Sequence, residues 1–427
     1  MNNRIIKNAT WIIACRIIQA LLNLVVSMIT ARYLGPSDLG AITYAASLVA
    51  FVVPLVQLGF NGILVQMFVD TPEESGKIIG TSTVITSFSS LLGVIGIWAF
   101  TTVFNRGETD TVIISVLYSV SMFFQMAEMI EYWYQSKLLS KYVSVISLIS
   151  RVIVSVYKIY IVASGKSVYW FAVVNSFDFF IISAGLFIAY RKLKGQHLSF
   201  SWNLAKLMLS EGKHFIVSGM MISVFSQTDK IMLKLMIDDA ASGFYWAAVS
   251  CASITQFLFS AIIDSMRPVI FANKKSSQQQ YHKNTVLLYS IIIFTAAAQS
   301  VALTLFAKPV ILILYGKAFL PSVPVLRIIT WYSAFSYLGA ARTIWFISEE
   351  KKKYLWITNI VGATVNLAGN LVLIPLFGAV GAAFASLLTQ FITNFVLNFI
   401  LKPLKENGRL LIEALNPSVL LQLLKKE

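Results

Sequence analysis

The chain has 427 residues, of which 57% are apolar and only 12% are charged, and its formal net charge is +15. The charged fraction is roughly half of that in soluble domains, and soluble cores of this size cannot bury so much apolar sequence. The composition therefore excludes a cytosolic enzyme, a disordered chain and a secreted disulfide scaffold. The positive charge does not indicate a nucleic-acid partner, because the basic residues lie mostly between apolar runs.

Apolar runs long enough to cross about 30 Å of hydrocarbon recur along the whole chain. They predict about twelve transmembrane helices, at roughly 9–31, 40–66, 77–103, 111–133, 142–163, 167–190, 211–236, 241–266, 284–306, 323–346, 354–375 and 378–401. Strands of a membrane barrel would instead alternate polar and apolar residues over about ten positions. We therefore expect an all-α integral membrane protein.

The basic residues predict the orientation of the spans. With the N-terminus in the cytoplasm, about 22 Lys and Arg residues fall inside and about 6 outside, as the positive-inside rule requires. Both termini are then cytoplasmic. The hydrophilic stretch 191–213 divides the spans into two sets of six. We expect an N-terminal bundle with its connecting loop at 1–200, a C-terminal bundle at 201–401, and a cytoplasmic tail at 402–427 that forms a short interfacial helix.

The sequence offers little for catalysis. Gly165-Lys166-Ser167 looks like the end of a phosphate loop, but Tyr160 stands where the first glycine is required. The three histidines lack cysteine or carboxylate partners at ligand spacing, so no metal site is predicted. The loops predicted to face outside are short. We therefore expect a transporter without intrinsic ATPase, and not an enzyme.

Charged residues inside the predicted spans are candidates for function, because each is costly in a bilayer unless it faces a partner or a wet cavity. The basic candidates for binding an anionic substrate are Arg16, Arg151, Lys158, Lys230, Arg327 and Arg342. Arg151 and Lys158 are seven residues apart, so they share a helix face. An arginine suits a phosphate because its guanidinium offers a bidentate fork. For Lys158 and Arg327, snorkelling towards the membrane surface is the alternative.

Two carboxylates are candidates for carrying a proton or a sodium ion. Asp178 lies near the middle of its predicted span, where snorkelling is a poor explanation. Its alternative role is a static pair with a buried arginine such as Arg16 or Arg151. Asp229 and its neighbour Lys230 form either a local ion pair or a polar break within the seventh span.

Short motifs follow one another in a specific order along the chain. They lie in Ala31–Gly40 (ARYLGPSDLG), Gln227–Lys230 (QTDK), Gly243–Tyr245 (GFY) and Tyr315–Lys317 (YGK), and in the stretch from Asn366 to Ala383. Their main positions are Arg32, Gly35, Gly40, Asp229, Gly243, Tyr245, Gly316, Asn366, Pro375, Gly378 and Gly381. This ordered set resembles the polysaccharide transporters of the multidrug/oligosaccharidyl-lipid/polysaccharide (MOP) superfamily, specifically the Wzx-type flippases of O-antigen and capsule repeat units.

The resemblance implies two six-helix bundles around a cationic central cavity that opens alternately to each side. It implies that the cargo is an undecaprenyl-diphosphate-linked oligosaccharide, moved from the inner to the outer leaflet of the bacterial plasma membrane. Membrane lipids and the polymerase and chain-length proteins of the same pathway are the expected partners. No cofactor is expected beyond proton or sodium coupling. The lipid-II flippase branch carries helices beyond twelve, so peptidoglycan cargo is not expected.

Two alternative functions remain at this point. A multidrug antiporter of the same superfamily would favour acidic cavity residues for cationic drugs, whereas basic residues outnumber acidic ones within these spans. A membrane polysaccharide polymerase is the second alternative, and the short external loops disfavour it.

Overall fold

The computed structural model describes residues 3–126 and 128–417, and among the first seventeen residues it describes only the side chain of Cys15. Every regular element within these ranges is helical, which confirms the prediction of an all-α protein. The chain separates into two compact units, Met1–Gln227 (unit 1) and Thr228–Glu427 (unit 2).

Unit 1 is built around a long first helix that bends at Gly35. Its helices are α1 (Asn3–Val56), α2 (Leu64–Asp70), α3 (Ser75–Phe104), α4 (Thr109–Ser119), α5 (Ser121–Gln125), α6 (Glu128–Ser136), α7 (Ser140–Ala163), α8 (Val168–Lys192) and the first part of α9 (Trp202–Met236), with 3-10 turns at Phe60–Gly62 and Pro72–Glu74. At Gly35 the backbone has φ 69° and ψ −179°, a conformation that glycine alone adopts readily, and Pro36 follows. The bend separates the first and second predicted spans.

Unit 2 contains a second bent helix near its C-terminal end. Its helices after α9 are α10 (Asp239–Ser253), α11 (Gln256–Ser276), α12 (Gln278–Leu305), α13 (Ala307–Leu314), α14 (Ser322–Ser348), α15 (Lys353–Phe391), α16 (Leu397–Ile400) and α17 (Lys405–Ala414), with 3-10 turns at Lys317–Phe319 and Lys402–Leu404 and a π-helix at Ile392–Val396. α15 bends at Gly378, where φ is 56° and ψ is −133°, three residues after Pro375. A Cβ at Gly381 would lie 2.0 Å from the carbonyl oxygen of Leu373, so only glycine allows so tight a bend.

The described helices account for about twelve predicted spans. Seven helical stretches are long and apolar enough to cross a membrane, and an eighth is the pair α10 and α11, which is bent by 45°. Two of the seven begin in α1 and α15, and each of these includes two predicted spans. The remaining two predicted spans correspond to α9 and α14, which are long helices that carry charged residues.

The boundary between the units and the tail can be compared with the sequence-based expectation. We placed the boundary at 200/201, whereas the two units divide within α9. In the tail, α17 forms, and Leu410, Leu411 and Ala414 are buried in the core cluster of unit 2, which includes residues of α12. Ile412 and Leu415 on the same helix are exposed, so an interfacial position of this segment stays a prediction. The rest of the tail, from residue 418, lies outside the described residues.

Each unit has its own apolar core. That of unit 1 contains aromatic residues such as Phe60, Tyr134 and Tyr190, and that of unit 2 contains Phe259 and Trp345. The two cysteines are also buried, Cys15 in unit 1 and Cys251 in unit 2, with 1% and 2% of their surfaces exposed. A few charged side chains are also buried, and these are the candidates for function.

Candidate functional site

In unit 1, a buried carboxylate is paired with an arginine. Asp178 on α8 is 2% exposed, and its Oδ2 lies 2.9 Å from Nη1 of Arg151 on α7. The hydroxyl of Ser150 donates to Oδ1 of Asp178 at 2.6 Å and also lies 3.1 Å from the Asp178 carbonyl oxygen. The structure therefore contains the ion pair that the sequence analysis kept as the alternative role for Asp178.

A pocket of about 100 Å³ lies beside this ion pair, between α1, α4, α7 and α8. Its polar lining consists of Thr30, Tyr118, Arg151, Lys158, Asn175 and Asp178. Arg151 and Lys158 both line it, which confirms their predicted shared helix face. Within the described residues, Lys158 forms no hydrogen bond or ion pair, and Oγ1 of Thr30 is buried without a hydrogen-bond partner.

In unit 2, a second buried carboxylate is surrounded by neutral donors. Asp229 on α9 is 5% exposed. Its Oδ2 accepts hydrogen bonds from the hydroxyls of Tyr245 and Ser386, both at 2.5 Å. Its Oδ1 accepts from the side-chain amides of Asn366 at 3.1 Å and Asn370 at 2.6 Å. No ion pair forms at Asp229 within the described part of the chain.

The bend in α15 assembles the unit 2 site. Asn366 and Asn370 are four residues apart on the first limb, so their side chains share one face. Ser386 lies on the second limb, 20 residues beyond Asn366, yet its hydroxyl is 3.3 Å from the Asn366 amide nitrogen. The bend at Gly378 makes this approach possible. Oδ1 of Asn370 is buried without a hydrogen-bond partner, so the site holds an unused oxygen ligand next to the carboxylate.

Three of the motif positions meet at this site, namely Asp229, Tyr245 and Asn366. Sequence reasoning missed Asn370 and Ser386. The signal that could have found Asn370 is its spacing, because an amide four residues after Asn366 in an apolar helix is costly unless both have a shared role.

The other motif positions are structural or lie at the surface. Gly35, Gly316 and Gly378 have positive φ and stand at bends or turns. Gly40 and Gly243 are buried within α1 and α10, and Arg32 is exposed on α1.

Three of the remaining basic candidates, Arg342, Arg327 and Lys230, do not line the unit 1 pocket. Arg342 is 3% exposed, donates through Nη1 to the carbonyl of Thr393 in the π-helix, and lies over the ring of Phe346 at 4.6 Å. Arg327 is exposed on α14, and Lys230 is partly buried beside Asp229. The side chain of Arg16 lies outside the described residues. A role for these four in a common cationic cavity stays a prediction.

The two carboxylates differ in the chemistry open to them. The charge of Asp178 is already compensated by a guanidinium that belongs to the protein. The charge of Asp229 is stabilised by four neutral hydrogen-bond donors and by electrostatic attraction to its neighbour Lys230, so a proton could bind there without breaking a direct ion pair of the carboxylate. A hard monovalent cation could also bind, because rotation of the two amide groups would turn their oxygens towards it.

Comparisons with known proteins identify the family of the sequence and solved structures with a similar fold. A family model described as "Polysaccharide biosynthesis protein" matches residues 5–274. No curated protein matches the sequence. Among solved structures, the chain is similar to a lipid II flippase MurJ in an inward closed conformation, with 15% identity, a TM-score of 0.71, and coverage of 95% of this chain and 90% of that chain.

Two further structures share the fold. A multidrug resistance MATE family transporter of the MOP superfamily, in an inward-facing conformation, has 13% identity and a TM-score of 0.65, covering 91% of this chain and 96% of that one. A MOP superfamily transporter from Pyrococcus furiosus has 12% identity and a TM-score of 0.61, covering 94% and 96%. Since the family model spans more than half of the sequence, the chain belongs to the polysaccharide biosynthesis protein family, on the fold shared by MurJ and MATE transporters.

Proposed function

We propose that the protein is an ion-coupled flippase for a lipid-linked oligosaccharide. The cargo is an undecaprenyl-diphosphate-linked repeat unit of O-antigen, capsule or a related surface polysaccharide, moved by alternating access from the cytoplasmic to the outer leaflet of the bacterial plasma membrane. Membership of the polysaccharide biosynthesis family supports this class of cargo. The positive-inside distribution supports cytoplasmic termini.

The observation that carries the proposal is the Asp229 site. Coupling to an ion gradient requires a carboxylate inside the membrane that can bind and release a cation during the transport cycle. Asp229 meets this requirement, because its four donors are neutral and an unused amide oxygen of Asn370 lies beside it. Asp178 meets it poorly, because Arg151 occupies its carboxylate. We therefore assign the coupling ion, a proton or sodium, to Asp229.

Ion binding at Asp229 would act on the packing of several helices. The donors belong to α10 and to both limbs of α15, and Asp229 itself belongs to α9. A cation that neutralises the carboxylate weakens its attraction for these donors. If α9, α10 and α15 adopt two arrangements, binding of the cation would favour the arrangement that binds it more tightly. The size of the shift equals the difference between the binding free energies of the cation in the two arrangements.

A deletion strain tests the proposal. Removing the gene should abolish the surface polysaccharide and cause the undecaprenyl-diphosphate-linked repeat unit to accumulate in the cell. The wild-type gene should restore both, and so should the control Lys137→Met, which removes an exposed charge from unit 1. Asp229→Asn keeps the size of the side chain but cannot release a proton or bind sodium as a carboxylate, so it should restore at least tenfold less polysaccharide at equal protein level.

Two outcomes would contradict the proposal. If the deletion strain keeps its polysaccharide and accumulates no lipid-linked intermediate, the assigned cargo is wrong. If Asp229→Asn restores the wild-type amount, Asp229 does not carry the coupling ion. In proteoliposomes, wild-type transport should respond to an imposed proton or sodium gradient, whereas transport by Asp229→Asn should not.

A further inference from the structure

The unit 1 pocket contains more positive than negative charge. Arg151 and Lys158 both line it, and Asp178 is the one carboxylate in its lining. Asp178 is already engaged by Arg151 at 2.9 Å. Lys158 thus forms no direct ion pair in the described part of the chain, and Arg151 repels it while the shared Asp178 carboxylate attracts it.

An uncompensated ammonium inside a membrane-spanning bundle is costly. The surrounding dielectric is low, and two cations, Arg151 and Lys158, share a single carboxylate in this lining. A bound anion would offset this cost. Further hydrogen-bond donors for an anion are present in the lining, since the Thr30 hydroxyl has no partner and the side-chain amide of Asn175 faces the same pocket.

The volume of the pocket limits the size of the anion. Its volume of about 100 Å³ is enough for a compact anion such as one phosphoryl group. Oxygen acceptors of a phosphoryl group match both the fork of Arg151 and the point charge of Lys158.

We infer that the unit 1 pocket is a binding site for a single phosphoryl group, held by Lys158 and Arg151, and that Asp178 is an internal anion that competes with this ligand for Arg151. In the structure, Arg151 is paired with Asp178. When the phosphoryl group enters, the guanidinium turns from the carboxylate to the ligand while Ser150 keeps its hydrogen bond to Asp178.

This exchange explains why an arginine and an aspartate are combined with an unpaired lysine. The Arg151 side chain is 37% exposed, so it can reach a group in the pocket without breaking the core. The return of Arg151 to Asp178 favours release of the ligand. Asp178 therefore lowers the affinity for the anion, as a transport protein requires if it is to release what it binds.

The phosphoryl group has two sources, the diphosphate of the proposed cargo and free inorganic phosphate. The first source rests on the proposed function, whereas the anion site itself does not. The experiments below separate the two.

Binding of inorganic phosphate to the purified full-length protein in detergent tests the site. Thermal unfolding is followed over a phosphate titration at constant ionic strength, with chloride as the balancing salt. The wild type should be stabilised saturably. Lys158→Met should weaken phosphate binding at least tenfold, whereas Asp178→Asn should tighten it at least tenfold, because the competitor is removed. The control Lys137→Met should bind phosphate as the wild type does.

Lys158→Met is expected to lower the affinity for phosphate and Asp178→Asn to raise it, so a general loss of stability cannot explain both results. Unchanged affinity in Lys158→Met would overturn the site. Weaker binding in Asp178→Asn would overturn the competition, since it would show that the aspartate supports the ligand. If Asp178→Asn does not fold, then Arg151→Lys, which loses the bidentate fork, should bind phosphate more weakly than the wild type, and unchanged affinity would likewise overturn the site.

A displacement experiment identifies the source of the phosphoryl group. Undecaprenyl diphosphate in the same detergent should displace phosphate from the wild type if the cargo uses this pocket. Absence of displacement, with phosphate still bound, would overturn the cargo assignment and leave a site for free phosphate. Neither result depends on polysaccharide export, so failure here is distinct from failure of the proposed function.

Discussion

The two buried aspartates show how partners decide what a carboxylate can do. Asp178 and Asp229 are both nearly inaccessible, at 2% and 5% exposure, and both accept hydrogen bonds from serine hydroxyls. In unit 1 a cation, Arg151, forms a direct ion pair with the carboxylate, whereas in unit 2 the groups that hydrogen-bond to the carboxylate are neutral hydroxyls and amides, and Lys230 attracts it electrostatically. The first arrangement favours binding of an anion nearby, and the second leaves room for a cation at the carboxylate itself.

Breaking the ion pair of unit 1 should give the largest loss of stability. Arg151→Met leaves the buried Asp178 carboxylate with only the hydrogen bond from Ser150. The free energy of unfolding should fall by about 3 kcal/mol, near the lower end for buried pairs because Arg151 is partly exposed. In unit 2, Tyr245→Phe removes one of four neutral donors to Asp229 and should cost about 1.5 kcal/mol. Chemical unfolding of the detergent-solubilised protein measures both.

The double variant Arg151→Met/Asp178→Asn serves as the control for the unit 1 prediction. It should recover most of the loss, because the unpaired charge is gone. If Arg151→Met alone is as stable as the wild type, Lys158 has replaced Arg151 as the partner of Asp178, and the contrast between the two units would no longer depend on Arg151.

Substitutions at the bends of the two long helices should cause losses of stability of intermediate size. Gly35 in α1 and Gly378 in α15 have backbone conformations close to glycine-only, and an added Cβ would meet no atom within 4 Å at either position. Alanine should therefore cost about 1–3 kcal/mol through the backbone alone, equally in both units. The control Gly96→Ala in α3 also meets no atom, but it lies in regular helix and should gain up to about 1 kcal/mol. A stable Gly378→Ala would mean that α15 can relax its bend.

The smallest expected effect concerns the unpaired oxygen of each site, Oγ1 of Thr30 in unit 1 and Oδ1 of Asn370 in unit 2. Thr30→Val removes a buried hydroxyl without a partner, so without phosphate the unfolding free energy should stay the same or rise by less than about 1 kcal/mol. Thr43→Val, in the same helix, removes a hydroxyl that donates to the Leu39 carbonyl at 2.8 Å and should lose about 1 kcal/mol. Equal losses in the two variants would show that Thr30 has a partner in the folded protein.

The sequence predicted much of the fold because bilayer burial leaves a strong signal in composition. The apolar runs identified the spans, and glycine with proline marked the bends at Gly35 and Gly378. Three residues of the unit 2 site, Asp229, Tyr245 and Asn366, were positions of the motif set, but the sequence did not indicate that they meet. Ser386 was missed because the bend of α15, and not sequence proximity, brings it to Asp229.

The positions and partners of the charged side chains were the least predictable feature. Six basic residues within spans were equivalent candidates by sequence, yet of the five whose side chains the structure describes, only Arg151 and Lys158 line the pocket of unit 1. Arg342 is engaged by a backbone carbonyl that the π-helix presents and by an aromatic ring, neither of which has a sequence signature. The buried face of α17 was also missed. The sequence pattern of a short amphipathic helix is the same whether its apolar face contacts lipid or protein.

The burial of both cysteines has a practical consequence for thiol chemistry. The side chains of Cys15 and Cys251 are almost completely enclosed, so an aqueous maleimide reagent finds no accessible native sulfur on the folded chain. A cysteine introduced at an exposed position, such as Lys166 or Lys137, would then react with the reagent while the two native cysteines do not. Spectroscopic labels at these two positions would report the motions of unit 1, with both native thiols left in place.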